Sequence, residues 1–340
     1  LQQLRGIEIN PRAAAMAELV LWIGWLQWHV RTRGIGSVAE PVVHDYGNIE
    51  CRDAVLAYDR QELATDADGK VITRWDGKTV KKHPVTGEDV PDEAAQVPEW
   101  CYLEPRRAEW PSAEFIVGNP PFIGNKRMRD ALGNGYAAAL RRAWPAVPET
   151  ADFVMYWWQR ASELAAQGQT RRFGLITTNS ITQVFNRRVV ESSAVDLAFA
   201  IPDHPWVDTA DGAAVRVAMT VGTARSSTSA AGTLLLVTDE RDGNEDTPAL
   251  TFKATPGKIH ANLSIGADVN AASRLRANLG LSFMGMIPLG AGFWIDEPTA
   301  KQLGRDSVPG LDAHVRRYRN GKDLTDRARG VLALDFYGLD

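Results

Sequence analysis

The sequence predicts an α/β fold whose sheet is mostly parallel and doubly wound, with helices on both faces. Three observations lead to this fold class. The chain has 340 residues, of which 44% are hydrophobic, which is enough for a substantial core. Short apolar runs of strand length recur along it, and segments of helical length separate many of them. Strands that alternate with helices favour parallel pairing, because a parallel connection needs a long crossover.

Six apolar runs predict strands, in chain order at residues 4–9, 44–51, 115–117, 171–178, 195–201 and 215–224. Two helices are predicted, at about 12–33 and about 151–166. Pro11 suits the start of the first helix, where a missing N–H costs nothing, and Gly168 is a stop signal for the second. We expect the first helix and the 115–117 strand to be buried. The tryptophans at helical spacings are expected to pack against the sheet: Trp22, Trp25, Trp28, Trp157 and Trp158.

Two segments depart from this alternation. Residues 66–99 carry two Asp-Gly turn signals beside short strand-like runs, which predict a hairpin in an exposed insertion. Residues 224–232 form a linker of small residues, after which the pattern becomes irregular. The sequence therefore predicts a core domain at 1–224, interrupted by the insertion, and a region at 225–340 with additional strands and a connector.

The composition limits the classes of site. The net charge is −4, so nucleic-acid binding would need a local basic surface. Cys51 and Cys101 are far apart and no histidines pair at helical spacing, so we expect neither a zinc site nor a disulfide framework. Both cysteines are interpreted as packing residues in a reducing cytoplasm. The apolar segment 13–30 is interrupted by Glu18 and Gln27, which favours a core helix over a membrane span.

The most informative segment is EFIVGNPPFIGNKRM, where a strand-like run ends in Asn119-Pro120-Pro121-Phe122. Consecutive prolines end a strand because each lacks an N–H and fixes φ at about −65°. In an open α/β sheet, ligands bind outside the carboxyl ends of the strands. The prolines would therefore form a stiff platform at a ligand-binding edge.

The same four residues carry groups that could hold a planar ring with an amino group. The amide oxygen of Asn119 and the carbonyl of Pro120 could both accept hydrogen bonds from one –NH2, while Phe122 stacks on the ring. These acceptors would expose the nitrogen lone pair for in-line attack on an electrophilic methyl group. The alternative interpretation is a proline-rich turn with a core Phe.

The segment FIVGNPPFIG resembles motif IV of the class I S-adenosylmethionine-dependent DNA amino-methyltransferases, in the N6-adenine group. LRGIEINPRAA resembles the second motif of that fold and IECRDAV the third, and ADFVMYWWQRASELAAQGQTRRFGLITTNSI is similar to the helix and strand that follow the catalytic loop. The resemblance covers about residues 1–222 in the gamma-type motif order. It implies a Rossmann-like methyltransferase sheet.

The resemblance also implies roles for individual residues. Glu8, with Ile9, would bind the ribose of S-adenosylmethionine, and Asp53, with Ala54, its adenine. Asn119 would contact the cofactor and, with the rest of its loop, carry catalysis on a flipped adenine of double-stranded DNA. The residues expected to contact DNA are Lys126, Arg127, Arg129 and Trp206. For the three basic residues a solvated face is the alternative, and for Trp206 a buried turn.

Within that group the chain is most similar to the type IIL single-chain restriction–methylation enzymes and their relatives. The resemblance implies a bacterial or archaeal cytoplasmic enzyme, in which residues 225–340 lead toward a target-recognition domain. Fused nuclease and target-recognition domains are expected in the full-length protein. The Gly-rich first motif occurs nowhere in the 340 residues, so we expect these residues to hold only part of the cofactor site and to be inactive alone.

Three other functions fit parts of the pattern. The same loop could methylate an RNA base or a protein glutamine amide, since each presents a planar –NH2. The chain could also be a catalytically inactive DNA-binding or scaffold fragment. Methylation at C5 of cytosine is not favoured, because it needs a thiolate nucleophile and the expected Pro-Cys is absent.

Overall fold

The structure is a computed structural model of the chain. It describes residues 1, 3–37, 46–82, 89–206, 215–226, 231–241, 249–267, 276–278, 280–281, 293–319 and 330–336. The chain divides into two compact units, Leu1–Val269 and Asn270–Asp340.

Within the described residues, the helices are α1 (Pro11–Arg33), α2 (Asn125–Leu132), α3 (Asn134–Ala143), α4 (Val154–Ala166), α5 (Val184–Ser192) and α6 (Glu297–Gln302). The strands are β1 (Gly6–Glu8), β2 (Ile49–Cys51), β3 (Leu56–Ala57), β4 (Arg60–Leu63), β5 (Thr73–Trp75), β6 (Val80–Lys82), β7 (Asp89–Pro91), β8 (Gln96–Pro98), β9 (Trp100–Leu103), β10 (Arg106–Arg107), β11 (Phe115–Gly118), β12 (Arg172–Thr178), β13 (Val195–Trp206), β14 (Val215–Ala224), β15 (Gly232–Arg241), β16 (Ala249–Gly257), β17 (Trp294–Ile295), β18 (Val315–Arg317) and β19 (Leu332–Leu334). Of the predicted 44–51 strand, residues 44 and 45 lie outside the described part.

The largest sheet is mixed, with six strands in the order β11-β12-β14-β13-β15-β16. β11 pairs in parallel with β12, and β13 with β15, whereas β14 is antiparallel to both of its neighbours and β16 is antiparallel to β15. β1 and β2 form a separate parallel pair. The prediction of a mostly parallel, doubly wound sheet is therefore not confirmed. Residues 207–214 and 242–248 are too few for a crossover, so the strands that they join pair antiparallel.

The core of the first unit lies where α4 packs on the six-stranded sheet and where α3 packs on β9, β10 and β3. Trp158 of α4 is fully buried and meets Phe173 of β12 edge to face, with ring centroids 5.4 Å apart. This packing confirms the prediction for Trp158. Trp144, which caps the end of α3, is also fully buried and donates from Nε1 to the carbonyl of Val55 at 2.9 Å. That bond fixes the segment after β2 against α3.

The prediction of a buried first helix is wrong. Ala14 is the buried residue of α1, and Trp28 is 48% exposed. Trp22 and Trp25 contact each other edge to face, with centroids 5.8 Å apart. Apolar composition alone predicted burial, but burial also requires a neighbouring element, and the described elements beside this helix are the short strands β1 and β2.

The prediction of a buried strand at 115–117 is also wrong for two of its three residues. Phe115 is 54% and Val117 86% exposed, while Ile116 packs against the core. Alternate residues of a strand point to opposite faces, so Phe115 and Val117 share a face that no described element covers. β11 is an edge strand of the described sheet.

The insertion is a nested set of antiparallel pairs. β6 pairs with β7, β5 with β8 and β4 with β9. The two strand-like runs beside the Asp-Gly signals, β5 and β6, therefore do not pair with each other as a simple hairpin would. Both predicted turn glycines take positive φ, 79° at Gly69 and 77° at Gly77. The tip, residues 83–88, lies outside the described part.

The second unit contains α6 and a three-stranded sheet in the order β17-β19-β18. Its buried apolar residues, among those described, are Ala300, Val315, Leu332 and Ala333. In the described part of the chain, no helix is long and apolar enough to cross a membrane. Cys51 and Cys101 are both exposed free thiols, so the interpretation of the cysteines as packing residues is wrong. Each lies on a short strand outside the main sheet, where one face remains open.

Candidate active site at the carboxyl end of β11

The Asn-Pro-Pro-Phe loop begins where β11 ends. Gly118, the last residue of β11, pairs with Leu175, and β12 continues for residues 176–178 beyond that pair. Pro120 is buried and Phe122 half-buried, while Asn119 and Pro121 are exposed. The buried proline anchors the loop, so the amide of Asn119 is presented to solvent beside the end of β12.

The exit of the loop is held by the two residues that precede α4, Asp152 and Phe153. The backbone N–H of Phe153 donates to the carbonyl of Ile123 at 2.9 Å. Asp152 Oδ1 accepts from the N–H of Asn125, the first residue of α2, at 3.0 Å. The N-cap of α2 is Gly124, which has no side chain, so the carboxylate of Asp152 satisfies an amide at the helix start.

Polar residues follow the next strand of the sheet. Thr178 Oγ1 and Ser180 Oγ lie 2.5 Å apart at the end of β12, and Ser180 donates to Asp152 Oδ2 at 2.7 Å. Asn179 donates to Asp203 Oδ1 at 3.4 Å, and Asp203 also accepts from Arg216 Nε at 2.6 Å. The end of β12 is therefore bonded both to the loop exit and to β13 and β14.

Trp206 lies at the same carboxyl end of the sheet as the Asn-Pro-Pro-Phe loop, but on a strand that is not next to β11. It is the half-buried last residue of β13, and β12 and β14 lie between that strand and β11. At about 4.8 Å per strand, the strands that carry Trp206 and Asn119 are about 14 Å apart. Nearby, the ring of His204 stacks on Phe252 of β16 with centroids 6.2 Å apart. A stacking role of Trp206 on a flipped base stays a prediction.

Glu8 ends β1, as the resemblance of LRGIEINPRAA (residues 4–14) to the second motif implies. Its Oε1 accepts from the N–H of Asn10 at 2.8 Å, and Asn10 in turn caps α1 by accepting from Arg12 and Ala13. The side chain of Glu8 is half-buried, and Ile9 is exposed. One carboxylate oxygen orients the side chain at the strand end, which leaves the other for a diol donor.

Asp53 follows β2, and its carboxylate is more fully engaged. Oδ1 accepts from the backbone N–H groups of Val55 and Leu56 at 2.7 and 2.9 Å. Oδ2 accepts from the hydroxyl of Tyr136 at 2.6 Å, and Trp110 donates to the carbonyl of Ala54 at 2.6 Å. A carboxylate has about four acceptor positions, so three bonds leave room for one more donor.

Tyr136 connects Asp53 to the loop. Burial raises the pKa of the Tyr136 hydroxyl far above its ordinary value, and the adjacent carboxylate of Asp53 raises it further. The ring of Tyr136 meets Phe153 edge to face, with centroids 6.1 Å apart, and Phe153 is bonded to Ile123. The structure thus brings the segment after β2 and the Asn-Pro-Pro-Phe loop to one region of the molecule.

The three predicted basic residues lie on α2, directly after the loop. Lys126, Arg127 and Arg129 are exposed, and Arg129 donates to the side chain of Asn134 at 3.1 Å. The helix N-terminus that they flank carries a partial positive charge. This surface suits a phosphate group. Separately, the described residues contain no group of three or more histidine, cysteine or acidic side chains that could hold a metal ion.

Two residues of the site were not predicted, Tyr136 and Asp152. Asp152 precedes α4 in the segment ADFVMYW, and Tyr136 lies in α3. Neither belongs to a motif with an evident role. A surface depression of about 590 Å³ lies at the opposite end of β11 and β12, near Glu114 and Arg171. The residues predicted for the site do not line this depression.

Comparison with known proteins places the chain in a family. A family model for the MmeI DNA-methyltransferase domain matches residues 1–235. No curated protein matches the chain. One similar solved structure is the type IIL restriction-modification enzyme MmeI in complex with DNA, with 21% identity and a TM-score of 0.44, covering 67% of this chain and 30% of that chain.

A second similar structure is a modification subunit of a putative type I restriction enzyme from Vibrio vulnificus YJ016. It has 16% identity and a TM-score of 0.29, and the match covers 42% of this chain and 27% of that chain. The chain thus spans less than a third of the length of either structure. Because the family model covers more than half of the residues, the chain belongs to the MmeI DNA-methyltransferase domain family, and the resemblance to the methylase part of type IIL enzymes is confirmed.

Proposed function

We propose that this chain carries the catalytic loop of an N6-adenine DNA methyltransferase that acts in restriction–modification or a related defence system. The observation that carries the proposal is the exposed amide of Asn119 on a buried proline at the carboxyl end of β11. Membership of a DNA-methyltransferase family supports the reaction class. The adenine specificity rests on the Asn-Pro-Pro-Phe loop itself.

The chemistry follows from the hydrogen-bonding capacity of the loop. Asn119 Oδ1 and the carbonyl of Pro120 accept from the two protons of one exocyclic amino group, and Phe122 stacks on the ring. The nitrogen lone pair would then be free to attack the methyl group in line. The N–C bond would form as the methyl–sulfur bond of the donor breaks, with its electron pair staying on the thioether leaving group, and the proton lost from nitrogen would pass to solvent. Because this amino group is paired inside a duplex, the target base must be extruded before it reaches Asn119.

The residues present fit S-adenosylmethionine. Glu8 offers a carboxylate oxygen at a strand end for the ribose hydroxyls, and Asp53 retains one acceptor position for an adenine amino group. When bound, the cofactor supplies the electrophilic methyl group. Lys126, Arg127 and Arg129 contact the DNA backbone, and residues 225–340 lead toward a target-recognition domain in the full-length protein.

The test is to identify the methylated product. Full-length protein is incubated with labelled S-adenosylmethionine and, separately, with duplex DNA, RNA and a glutamine-containing protein substrate. We expect label in DNA only, as N6-methyladenine after digestion to nucleosides. Label in RNA or protein, or at a cytosine, would overturn the assignment, and absence of cofactor binding would favour an inactive scaffold.

A further inference from the structure

The loop that carries Asn119 is anchored at the buried Pro120, and its conformation also depends on how its exit is fixed. β11 pairs only with β12 among the described strands, and the face of Phe115 and Val117 is uncovered. Side-chain support from that face is therefore small. The contacts that fix the segment after the loop come instead from Asp152 and Phe153, and from Arg141, which donates to Asn125 Oδ1 at 3.2 Å.

The two oxygens of Asp152 bridge different elements. Oδ1 accepts from the N–H of Asn125 at 3.0 Å. Oδ2 accepts from Ser180 Oγ at 2.7 Å and from Asn186 Nδ2 at 2.7 Å. In addition, the backbone N–H of Asp152 donates to Asn186 Oδ1 at 2.8 Å, so the two residues are bonded reciprocally. One half-buried carboxylate joins the loop exit, the end of β12 and α5.

The partners of Asp152 are themselves held in place. Asn186 is fully buried at 0% exposure and also donates to the backbone carbonyl of Ser180 at 3.1 Å. Ser180 lies 2.5 Å from the hydroxyl of Thr178, the last residue of β12. A buried polar group with all its partners satisfied is costly to rearrange. These hydrogen bonds therefore hold Asp152 in a fixed position relative to α5 and to the end of β12.

We propose that Asp152 is a positioning residue for the methyl-transfer reaction, which ties the exit of the Asn-Pro-Pro-Phe loop to the end of β12 and so fixes Asn119. The proposal rests on the proposed function. Asp152 does not touch the substrate; it acts through the backbone of Asn125. Misplacement of a reacting group by about 1 Å can slow a reaction roughly 100-fold, so loss of this tie should slow the chemical step rather than weaken DNA binding.

The test uses Asp152→Asn in the full-length protein. An amide has one acceptor oxygen, so Asn at this position either loses the bond from Asn125 or turns its –NH2 toward the donors Ser180 and Asn186. Asp68→Asn is the matched control, because it makes the same chemical change at an exposed aspartate in the turn before β5, outside the network around Asp152. Ser180→Ala, which removes one donor to Asp152, is a milder second variant.

Three measurements are made on each variant. Single-turnover methyl transfer gives the rate of the chemical step, and a separate titration gives the Kd for DNA. Hydrogen exchange of the peptide spanning 119–128 reports on the loop exit independently of activity. For Asp152→Asn we expect a rate that is roughly 10- to 100-fold lower, a Kd for DNA within about twofold, and faster exchange confined to that peptide. Ser180→Ala should show the same pattern with smaller effects.

The outcomes separate the two proposals. Faster exchange with an unchanged transfer rate, or unchanged exchange, would overturn the positioning role. A parallel loss in Asp68→Asn, or faster exchange throughout the first unit, would do the same, since it would indicate a general loss of stability. If the unmodified protein transfers no methyl group to DNA, the proposed function fails, and the exchange measurement still decides whether Asp152 holds the loop.

Discussion

At the scale of single residues, the acids of the site differ in how many donors already bind them. Glu8 has one bond from a backbone N–H. Asp53 has two from backbone N–H groups and a third from Tyr136. Asp152 is bonded at both oxygens to three other residues. The fewer donors an acid already has, the more free acceptor positions it offers to a ligand. Glu8 and Asp53 therefore suit contacts with a ligand, whereas Asp152 suits a structural role.

Replacing Tyr136 with Phe should change how stability depends on pH. The folded-state pKa of Tyr136 is raised above the value in the unfolded chain, so its contribution to the free energy of unfolding is complete below about pH 10 and is lost as the pH rises further. Between about pH 10 and 11, the free energy of unfolding should therefore fall by up to about 1.4 kcal/mol more in the unmodified protein than in Tyr136→Phe. Urea unfolding at a series of pH values measures the difference.

Below pH 10, Tyr136→Phe should be less stable by about 1–3 kcal/mol, because Asp53 Oδ2 loses its partner. The two stability curves should converge above that pH. Curves that stay parallel up to pH 11 would show that burial and Asp53 do not raise the pKa of the Tyr136 hydroxyl in the folded protein.

The sequence could predict the acids at strand ends but not the residues that orient them. Glu8, Asp53 and Asn119 each follow an apolar run, which is a local pattern. Tyr136 meets Asp53 across 83 positions, and Asp152 meets Asn186 across 34. Such partners depend on how α3, α4 and α5 pack, and packing is not visible in a local pattern.

At the scale of elements, the contact between α3 and β9 holds the insertion beside the site. A Cβ on Gly135 would lie 1.7 Å from the carbonyl oxygen of Trp100. Glu99, which is buried, accepts from the N–H of Gly135 at 2.9 Å and lies 3.6 Å from Arg74 Nε. The start of α3 therefore requires a glycine, because the backbone of β9 approaches it directly.

Gly135→Ala should lower the free energy of unfolding by about 1–3 kcal/mol, because the added methyl group forces α3 and β9 apart. Gly24→Ala is the matched control, since Gly24 is inside α1 with no atom within 4 Å of its added Cβ. That change should stabilise the protein by up to about 1 kcal/mol through helix propensity. Equal shifts of both variants in urea unfolding would contradict the close approach.

The basic face of α2 should contribute to the salt dependence of DNA binding. Each Lys or Arg that neutralises a phosphate contributes about 0.9 to the slope of log K against log salt concentration. Lys126→Gln with Arg127→Gln should therefore reduce the slope by about 1.8. Arg172→Gln, an exposed change at the opposite end of the sheet, should leave it unaltered. An unchanged slope in the double variant would show that Lys126 and Arg127 of α2 do not contact DNA phosphates.

The elements themselves were largely predictable, but their pairing and burial were not. The predicted helix at 151–166 corresponds to α4 (Val154–Ala166), and the runs at 171–178 and 215–224 correspond to β12 and β14. An apolar run predicts a strand but not its neighbour, so the antiparallel pairs of β14 and the exposure of Val117 could not be foreseen. The apolar surface of α1 was misjudged for the same reason.

At the scale of the whole molecule, the mixed sheet brings the predicted catalytic loop and the polar end of β12 to the same end of their strands. β15 and β16 extend the sheet beyond residue 224, where the predicted core domain ends, so the strands after the linker pack with the first unit. The division into domains at 1–224 and 225–340 stays a prediction. The loop after β11 and the polar end of β12 lie at the same edge, and the described Tyr136 and Phe153 link Asp53 to them.

The most direct test of the central claim compares Asn119→Ala with the unmodified full-length protein by mass spectrometry of digested DNA. The account predicts N6-methyladenine from the unmodified protein and a roughly 10²- to 10³-fold slower formation by Asn119→Ala, with the same circular dichroism and thermal unfolding. The control variant Asn262→Ala changes an asparagine that follows β16, and it should form N6-methyladenine at the rate of the unmodified protein. Undiminished N6-methyladenine from a folded Asn119→Ala protein would contradict the account.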